Sequence, residues 1–274
     1  MFSWLSSETN ILKSGLLKGM TDVHAHLLPG VDDGMASVEE SLAAIEYLYE
    51  IGVRRIFLTP HIMEDIIENH PDFLQKRFEE FCKKNKSPVE LRLAGEYMLD
   101  TGFKKQTEEG LLTLGDCHVL VETSYLSAPP DLRHMLYELQ VSGYKPIIAH
   151  PERYLYMREE ELVALKKNGC KFQLNLMSLA GTYGKRVLQR SQVLLKAGFY
   201  DFAGSDLHHL EIYMDALSRI RLSRSQQQLV KTLTLNPQLH SRSATYIKRN
   251  GLLIRKTAIK SSHPFQYAYH PLTP

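Results

Sequence analysis

The sequence predicts an α/β fold built on a parallel sheet that closes, or nearly closes, into a barrel. Short apolar strand patterns alternate with amphipathic helix patterns along most of the 274 residues. Seven strand patterns are present, and repeated strand–helix units in this number favour a barrel over an open sheet. Histidine and acidic residues recur where the strand patterns end. In a barrel, those ends meet on one face.

The strand patterns are short apolar runs bounded by turn residues. They lie near residues 20–25, 54–59, 89–94, 118–121, 145–149, 171–174 and 200–203. In the first of them, residues two apart point to the same side, so His24 and His26 can reach one metal ion. The later strands run into Pro60-His61, Gly95-Glu96, Glu122, His150, Asn175 and Gly204, in that order.

The helix patterns are bounded by capping and breaking residues. Ser37 with Glu40 three residues later forms a capping box. Pro130 stands at a helix start, where a missing amide is harmless. The predicted helices cover residues 37–51, 73–84, 102–110, 130–142, 159–168, 186–197, 210–220 and 226–233. Most of them stop at a glycine, as helices commonly do.

The composition is that of an ordinary globular protein and narrows the function classes. With 43% hydrophobic and 23% charged residues, a sizeable core is feasible. The formal net charge of +2 does not favour nucleic acid as a partner. Three widely spaced cysteines, Cys82, Cys117 and Cys170, suit a reducing compartment, which predicts a cytoplasmic location. None begins a Cys-x5-Arg phosphate loop, so a cysteine-nucleophile phosphatase is disfavoured.

The chain divides into residues 1–19 as an N-terminal extension, 20–235 as one domain and 236–274 as a tail. The extension lacks the features of a signal peptide or a membrane span. Its apolar residues predict a short amphipathic segment that packs on the domain, with a partner or membrane surface as the alternative. They are Phe2, Trp4, Leu5, Ile11, Leu12, Leu16 and Leu17. The tail is polar and mildly basic, which predicts a solvated segment.

Nine residues of the types that bind metal ions cluster at the predicted strand ends. They are His24, His26, Asp33, His61, Glu96, Glu122, His150, Asp206 and His208. A single histidine or glutamate at a strand end is usually a cap or turn residue, but nine on one face favour a metal site. Five histidines and four carboxylates are more ligands than one ion can bind. We therefore expect two or three bridged ions, and this donor mixture suits Zn, Mn or Fe better than Ca or Mg.

The joint pattern resembles the PHP (polymerase and histidinol phosphatase) superfamily. Within it, the chain is similar to the bacterial metal-dependent protein-tyrosine phosphatases encoded with capsule and exopolysaccharide genes. The motifs are His24-Ala25-His26, Leu28-Pro29-Gly30 to Asp32-Asp33-Gly34, Thr59-Pro60-His61, Gly95-Glu96, Val121-Glu122, Ile148 to Arg153 and Gly204 to His208. The resemblance covers residues 20–235. It implies a distorted seven-stranded (β/α)7 barrel with a trinuclear metal site.

The resemblance also implies a role for each residue. His24, His26, Glu96 and Asp206 would hold the first ion; Glu96, Glu122 and His150 the second; and Asp33, His61 and His208 the third. Arg153 matches an arginine that binds phosphate. Close relatives carry a further arginine after the match to His208, whereas this chain reads His209-Leu210-Glu211. Lys185, in a glycine-flanked segment after the sixth strand, is a candidate neighbour of the site.

Three functions are compatible with such a centre. The first is a phosphotyrosine-protein phosphatase that acts on the tail of a tyrosine kinase of capsule or exopolysaccharide assembly, as the resemblance implies. A hydroxide held between two ions would attack phosphorus, with Arg153 on the phosphoryl oxygens and His208 or a bound water protonating the leaving group. The second is a small-molecule phosphoesterase such as histidinol-phosphatase. The third is a non-catalytic phosphotyrosine-binding module, against which the intact ligand set argues.

Overall fold

A computed structural model describes residues 8–236 and 239 and, as backbone, two strands at 245–249 and 252–256. These residues form a mixed α/β fold around a curled parallel sheet, which confirms the predicted α/β class. Among them, no helix combines the length and the apolar character needed to span a membrane. Phe2, Trp4 and Leu5 lie outside the described residues.

The strands and helices follow one another in the alternating order that the sequence predicts. The strands are β1 Thr9–Asn10, β2 Thr21–Ala25, β3 Arg55–Leu58, β4 His61–Ile62, β5 Glu90–Leu93, β6 Glu96–Met98, β7 His118–Glu122, β8 Lys145–Ile148, β9 Lys171–Asn175, β10 Phe202–Gly204, β11 Arg221–Leu222, β12 Thr245–Arg249 and β13 Leu252–Lys256. The helices are α1 Ile11–Ser14, α2 Val38–Glu50, α3 Pro71–Lys84, α4 Phe103–Glu109, α5 Leu132–Val141, α6 Glu159–Lys167, α7 Lys185–Lys196, α8 Leu210–Arg219 and α9 Arg224–Thr234, with short 3-10 helices at Pro151–Arg153 and Leu176–Ala180.

The central strands form two parallel sheets. The order is β10-β9-β8-β7-β6-β4 in the larger sheet and β2-β3-β5 in the smaller one. The two sheets meet where β3 continues into β4 and where β5 continues into β6. On the other side, the amide of His26 donates to Leu207 O over 3.0 Å, and the amide of Asp206 donates to His24 O over 2.8 Å. These bonds draw the segment after β10 against β2 and curl the sheet.

The sequence predicts strands that end before Pro60 and before Gly95, as β3 and β5 do, but the structure adds the short strands β4 and β6 directly after these two residues. Pro60 lies at the first break, where it has no amide to donate to a ladder. Gly95 lies at the second break, and a Cβ there would meet Ile62 Cδ1 at 2.5 Å. The breaks change the direction of the chain at the following residues, His61 and Glu96, which pair with each other in parallel register.

Alternate strand residues divide the core into two layers, because side chains alternate across a sheet. Val23, Phe57, Leu120, Ile147 and Phe202 belong to a small inner cluster inside the curl. Their neighbours along the strands, such as Ile56 and Val121, belong to the outer cluster between sheet and helices. Strands buried on both faces are typical of parallel sheets covered by helices. The filled interior supports the polar side chains at the strand ends.

Helix boundaries follow the predicted capping chemistry. At α2, Ser37 Oγ accepts from the amide of Glu40 over 3.2 Å. The Glu40 carboxylate accepts from the amide of Ala36 over 2.9 Å, one residue earlier than in the predicted box. Helix α5 begins at Leu132 rather than at Pro130.

The N-terminal segment packs on the domain, which is the first of the two expectations for it. Ile11, Leu16 and Leu17 are buried, whereas 40% of Leu12 is exposed. Strand β1 pairs antiparallel with β11, and Asn10 Nδ2 donates to the carbonyl oxygens of Leu217, Ser218 and Ile220 at the end of α8. The segment is therefore bonded to α8 and β11, which lie more than 200 residues further along the chain.

The predicted tail contains structure that the hydrophobic pattern did not indicate. Strands β12 and β13 pair antiparallel. The sequence between them reads Asn250-Gly251, the strongest two-residue hairpin signal. Leu239 is fully buried and joins the inner cluster. The remaining residues of the predicted tail lie outside the described part of the chain.

Candidate metal centre

All nine predicted ligand residues lie around one centre, at or after the ends of β2, β3, β5, β7, β8 and β10. His24 comes from β2, His61 begins β4, Glu96 begins β6 and Glu122 ends β7. The others lie in the loops after β2, β8 and β10. They fall into four overlapping groups whose ligand atoms lie within 4.8 Å of one another: His26, Asp33, His61 and His208; His24, His26 and Asp206; His24, Glu96 and His150; and His61, Glu96 and Glu122.

His24 and His26 direct their rings into the same volume. Their Nε2 atoms lie 3.0 Å apart. Asp206 Oδ1 lies 3.3 Å from the first of these nitrogens and 3.5 Å from the second. Two nitrogens bound to one ion at about 2.1 Å and at a right angle lie about 3 Å apart. The pair therefore has the spacing of neighbouring ligands on a single ion.

The Glu96 carboxylate lies at the middle of the centre. Its Oε2 is 3.2 Å from His24 Nε2 and 3.3 Å from His26 Nε2. It is also 3.2 Å from His61 Nδ1, while Oε1 is 3.1 Å from His150 Nε2. Glu96 is fully buried, and its Oε2 has no hydrogen-bond partner. A buried carboxylate oxygen without a donor fits a bound cation.

The outer edge of the centre is formed around Asp33. Its Oδ1 lies 3.4 Å from both His61 Nε2 and His208 Nε2. The opposite nitrogen of His61 lies 3.0 Å from Glu122 Oε1. The His61 ring thus lies between two groups of ligands. The His26 ring stacks on the His208 ring with a centroid separation of 3.8 Å.

Two of these residues occupy left-handed backbone conformations. His150 has φ 33° and Asp206 has φ 51°. Such conformations are costly for non-glycine residues and are found where the surroundings over-determine them, often at functional sites. The amide of His150 donates to Gln173 Oε1 over 3.1 Å. At Asp206 the constraint is the bond from its amide to His24 O.

The crowding of carboxylates and imidazoles shifts their pKa values. Burial lowers the pKa of His24, but the nearby Glu96 and Asp206 carboxylates outweigh burial and raise it to about 9. Burial likewise opposes the effect of Glu122 and Glu96 on His61, whose pKa rises to about 10. Burial raises the pKa of Glu96, yet the surrounding histidines hold it well below its usual range. The centre stabilises carboxylate charge together with positive charge.

Three residues orient the predicted ligands, and the sequence pattern did not single them out. Asp32 Oδ2 lies 2.8 Å from His26 Nδ1 and accepts from the amide of His61. Gln173 Oε1 lies 3.1 Å from His24 Nδ1. Asn175 Nδ2 donates to Asp206 Oδ2 over 2.6 Å. Partners of this kind fix ring orientation in metal sites. Their sequence signals were the Asp32-Asp33 doublet and the position of Asn175 at a strand end.

Arg153 lies at the rim of the centre between two tyrosine rings. Its Nη1 donates to Asp206 Oδ2 over 3.1 Å. The guanidinium carbon lies 4.1 Å from the ring centroid of Tyr125 and 4.2 Å from that of Tyr183. Tyr183 belongs to the glycine-flanked segment from which the sequence suggested Lys185. Lys185 itself is exposed at the start of α7.

The fold and the centre together define a class: α/β proteins that present histidine and carboxylate ligands for divalent metal ions at the ends of parallel strands. Comparison with known proteins gives the family. The model for capsular polysaccharide synthesis proteins of the CpsB/CapC type matches residues 20–235. This chain belongs to the CpsB/CapC family, which confirms the resemblance seen in its motifs.

Several relatives in this family are named tyrosine phosphatases. The tyrosine-protein phosphatase YwqE of Bacillus subtilis (strain 168) is 32% identical over 204 residues, which are 70% of this chain and 78% of that protein. The tyrosine-protein phosphatase CpsB of Streptococcus agalactiae serotype V is 29% identical over 205 residues, 70% of this chain and 84% of that protein.

A solved structure is also similar. It comes from work on YwqE from Bacillus subtilis and CpsB from Streptococcus pneumoniae, which describes them as unique metal-dependent tyrosine phosphatases. The match has a TM-score of 0.68 at 27% identity and covers 85% of this chain and 98% of the other. The likeness extends over nearly the whole of that structure.

Proposed function

We propose that this protein is a metal-dependent phosphotyrosine-protein phosphatase, a phosphoric monoester hydrolase. The observation that carries the proposal is the convergence of nine histidine and carboxylate side chains on one centre, with Arg153 at its rim. The named activity of the YwqE and CpsB relatives and the metal dependence stated for the similar structures support the same conclusion.

The side chains suit two or three divalent ions of Mn, Fe or Zn. His24, His26, Glu96 and Asp206 would hold one ion; Glu96, Glu122 and His150 a second; and Asp33, His61 and His208 a third. The unpartnered Glu96 Oε2 and His61 Nδ1 support this assignment, because both are buried polar atoms without a hydrogen bond. When bound, such ions lower the pKa of water and neutralise phosphoryl oxygens.

The residues of the chain itself hold the phosphoryl group and its leaving oxygen. Among the described residues, only Asp206 accepts a hydrogen bond from the Arg153 side chain. The other N–H groups of that guanidinium therefore remain for phosphoryl oxygens, in the forked geometry that suits phosphate. His208 lies partly exposed at the same rim and is the candidate for protonating the leaving oxygen when only the first two ions are bound. A phenolate needs this help less than an alkoxide does.

We assign the substrate to the phosphotyrosine tail of a bacterial tyrosine kinase of capsule or exopolysaccharide assembly. Membership of the capsular polysaccharide synthesis family supports this partner. The cysteine content and the tyrosine kinase partner point to a cytoplasmic location. We extend the proposal to the fold, as a distorted (β/α)7 barrel over residues 20–235. The bonds between β2 and the segment after β10 support closure.

The deciding experiment compares rates on a phosphotyrosine peptide and on histidinol phosphate, with metal content measured on the same sample. We expect efficient turnover of the peptide, slow turnover of histidinol phosphate, and two or three transition-metal ions per chain. Chelation should abolish turnover, and added metal should restore it. Protein that carries no transition metal and stays active after chelation would contradict the metal assignment. A preference for histidinol phosphate would contradict the substrate assignment.

A further inference from the structure

An exposed aromatic and apolar surface lies directly beside Arg153. It consists of Tyr125, of which 43% is exposed, and Leu126, of which 88% is exposed. We call these two residues the Tyr125 ledge. They lie in the loop that leaves β7, three and four residues after Glu122.

The ledge is held in place by the residues around the metal centre. The Tyr125 ring covers one side of the Arg153 guanidinium at 4.1 Å. Its centroid lies 5.8 Å from that of His150 and 6.1 Å from that of Tyr154, whose ring is nearly parallel to it. Tyr154 is fully buried, and its hydroxyl accepts from the amide of Thr123 over 3.2 Å. The exposed part of Tyr125 is therefore presented by rigid neighbours.

The two tyrosines that enclose Arg153 differ in surroundings. The hydroxyl of Tyr183 accepts from Asn175 Nδ2 over 3.0 Å, and Asn175 also donates to Asp206. Tyr183 is thus part of the network that orients a predicted ligand. Tyr125, by contrast, contacts Arg153 with its ring and is exposed to solvent over the rest of its surface. Tyr125 is therefore placed to touch a substrate and Arg153 at the same time.

In a phosphotyrosine, a single oxygen atom separates phosphorus from the aromatic ring. A phosphoryl group held by Arg153 therefore brings that ring close to the ledge. We propose that Tyr125, with Leu126, binds the aromatic ring of the substrate and so makes the site select aryl phosphates over alkyl phosphates. This inference rests on the proposed function, and it identifies Tyr125 as a specificity-determining residue. Aromatic pairs of this kind contribute beyond the area they bury.

The test measures binding by calorimetry on metal-loaded protein, so it does not depend on turnover. The probes are benzylphosphonate and propylphosphonate, which share the phosphonate group and differ in the ring. We expect the wild type to prefer benzylphosphonate, and Tyr125→Ala to reduce that preference about 5-fold. Tyr125→Phe should keep the preference, because it keeps the ring. If the alanine variant does not fold, Tyr125→Gln takes its place in the test. Glutamine is polar, has no ring and is of similar length, so it should reduce the preference for benzylphosphonate to the same extent.

Tyr183→Ala is the matched control, since it removes the ring on the other side of Arg153. It should weaken both phosphonates by the same factor and leave their ratio unchanged. If Tyr125→Ala also weakens both equally, Tyr125 only positions Arg153 and the inference is wrong. An unchanged ratio and unchanged affinities would overturn it as well. Failure of the proposed function would look different: the wild type would bind benzylphosphonate but not hydrolyse the phosphotyrosine peptide.

Discussion

Glu96 is the residue on which the centre depends most. One carboxylate faces ring nitrogens of His24, His26, His61 and His150 at 3.1 to 3.3 Å. Its charge is retained inside the protein because the imidazoles around it hold its pKa well below the usual range. A fully buried carboxylate is otherwise very costly. This position suits a bridge between two ions.

Glu96→Gln keeps the shape of the side chain and removes its charge. We expect the purified variant to lose bound metal and at least about 100-fold of its phosphotyrosine phosphatase rate, because even indirect partners of metal ligands change affinity about 10- to 100-fold. Metal analysis and initial rates on the same samples measure this. Glu109→Gln, on the surface of α4, is the matched control and should be unaffected. Full turnover by Glu96→Gln would refute the ligand assignment.

The stability of the protein should depend on pH through His118, which lies at the end of β7 opposite the metal centre. It begins β7 and packs edge-on against Phe202. Burial, with Lys145 and Lys171 nearby, lowers its pKa from 6.5 to about 4. The unfolded chain therefore binds this proton near pH 6.5, whereas the folded protein binds it only near pH 4. Stability should fall as the pH is lowered between these values, by about 1.4 kcal/mol per pH unit from this group at most.

Urea unfolding between pH 7 and pH 4.5 measures this contribution. In His118→Gln, the fall in the free energy of unfolding should be smaller than in the wild type by about 1 to 3 kcal/mol. His134→Gln changes an exposed histidine on α5 and should match the wild type across the range. An unchanged slope in His118→Gln would show that this histidine takes up its proton equally well in the folded protein.

At the scale of elements, the loop between β2 and α2 folds back onto the metal centre. The amide of Met35 donates to His26 O over 3.1 Å, and the amide of Gly34 donates to Asp32 Oδ1 over 3.0 Å. A Cβ on Gly34 would lie 2.3 Å from His26 O and 2.6 Å from His26 Cβ. Only glycine permits this close approach, which sets Asp32 and Asp33 beside His26.

Gly34→Ala should displace this loop and weaken metal binding about 10- to 100-fold while the domain stays folded, because its effect reaches the ligands through their supports. Metal titration measures the metal affinity of the variant, and circular dichroism shows whether its domain is folded. Gly15→Ala is a suitable control, since Gly15 has φ 75° with no heavy atom near its Cβ position. It should cost about 1 to 2 kcal/mol of stability, because a residue with a Cβ is strained at positive φ, and leave metal affinity intact. Equal metal affinity in Gly34→Ala would contradict the loop's role.

The regular elements could be predicted from the sequence because hydrophobic period and caps are local signals. The predicted strand at 118–121 is β7, and the predicted helix at 186–197 is α7 with its ends shifted by one residue. The strand ends before Pro60 and Gly95 were predicted, but the short strands β4 and β6 that follow them were not, because two or three residues are too few to show a strand pattern. The pairing of β1 with β11 joins residues more than 200 positions apart, which no local pattern indicates.

Some residues of the candidate site could likewise be predicted from the sequence, and others could not. Its nine predicted ligands could be picked out from the sequence because each lies at or follows the end of a predicted strand, and parallel strands end on a common face. The orienting residues Gln173 and Asn175 could not, because a buried amide within or at the end of a strand resembles any other polar residue in the sequence. Tyr125 was missed because its role depends on the distance to Arg153, which is set by two separate loops.

At the scale of the whole molecule, the N-terminal segment is part of the fold. Ile11→Ala removes a fully buried side chain of the outer core and should lower the free energy of unfolding by about 2 to 4 kcal/mol. Leu12→Ala, one residue along and 40% exposed, should cost much less. Urea denaturation of both variants measures the difference. Equal effects would mean that the segment is not packed as described.

Burial of Leu239 in the inner cluster has a consequence for synthesis on the ribosome. The first predicted ligand stands at residue 24 and the last at 208, while the interior beneath them includes a side chain from position 239. The inner cluster of a growing chain therefore lacks one of its apolar side chains until position 239 has emerged. Long-range pairing of this kind slows folding and leaves surfaces open to aggregation. The inner cluster beneath the predicted ligands is therefore complete only after position 239 has left the ribosome.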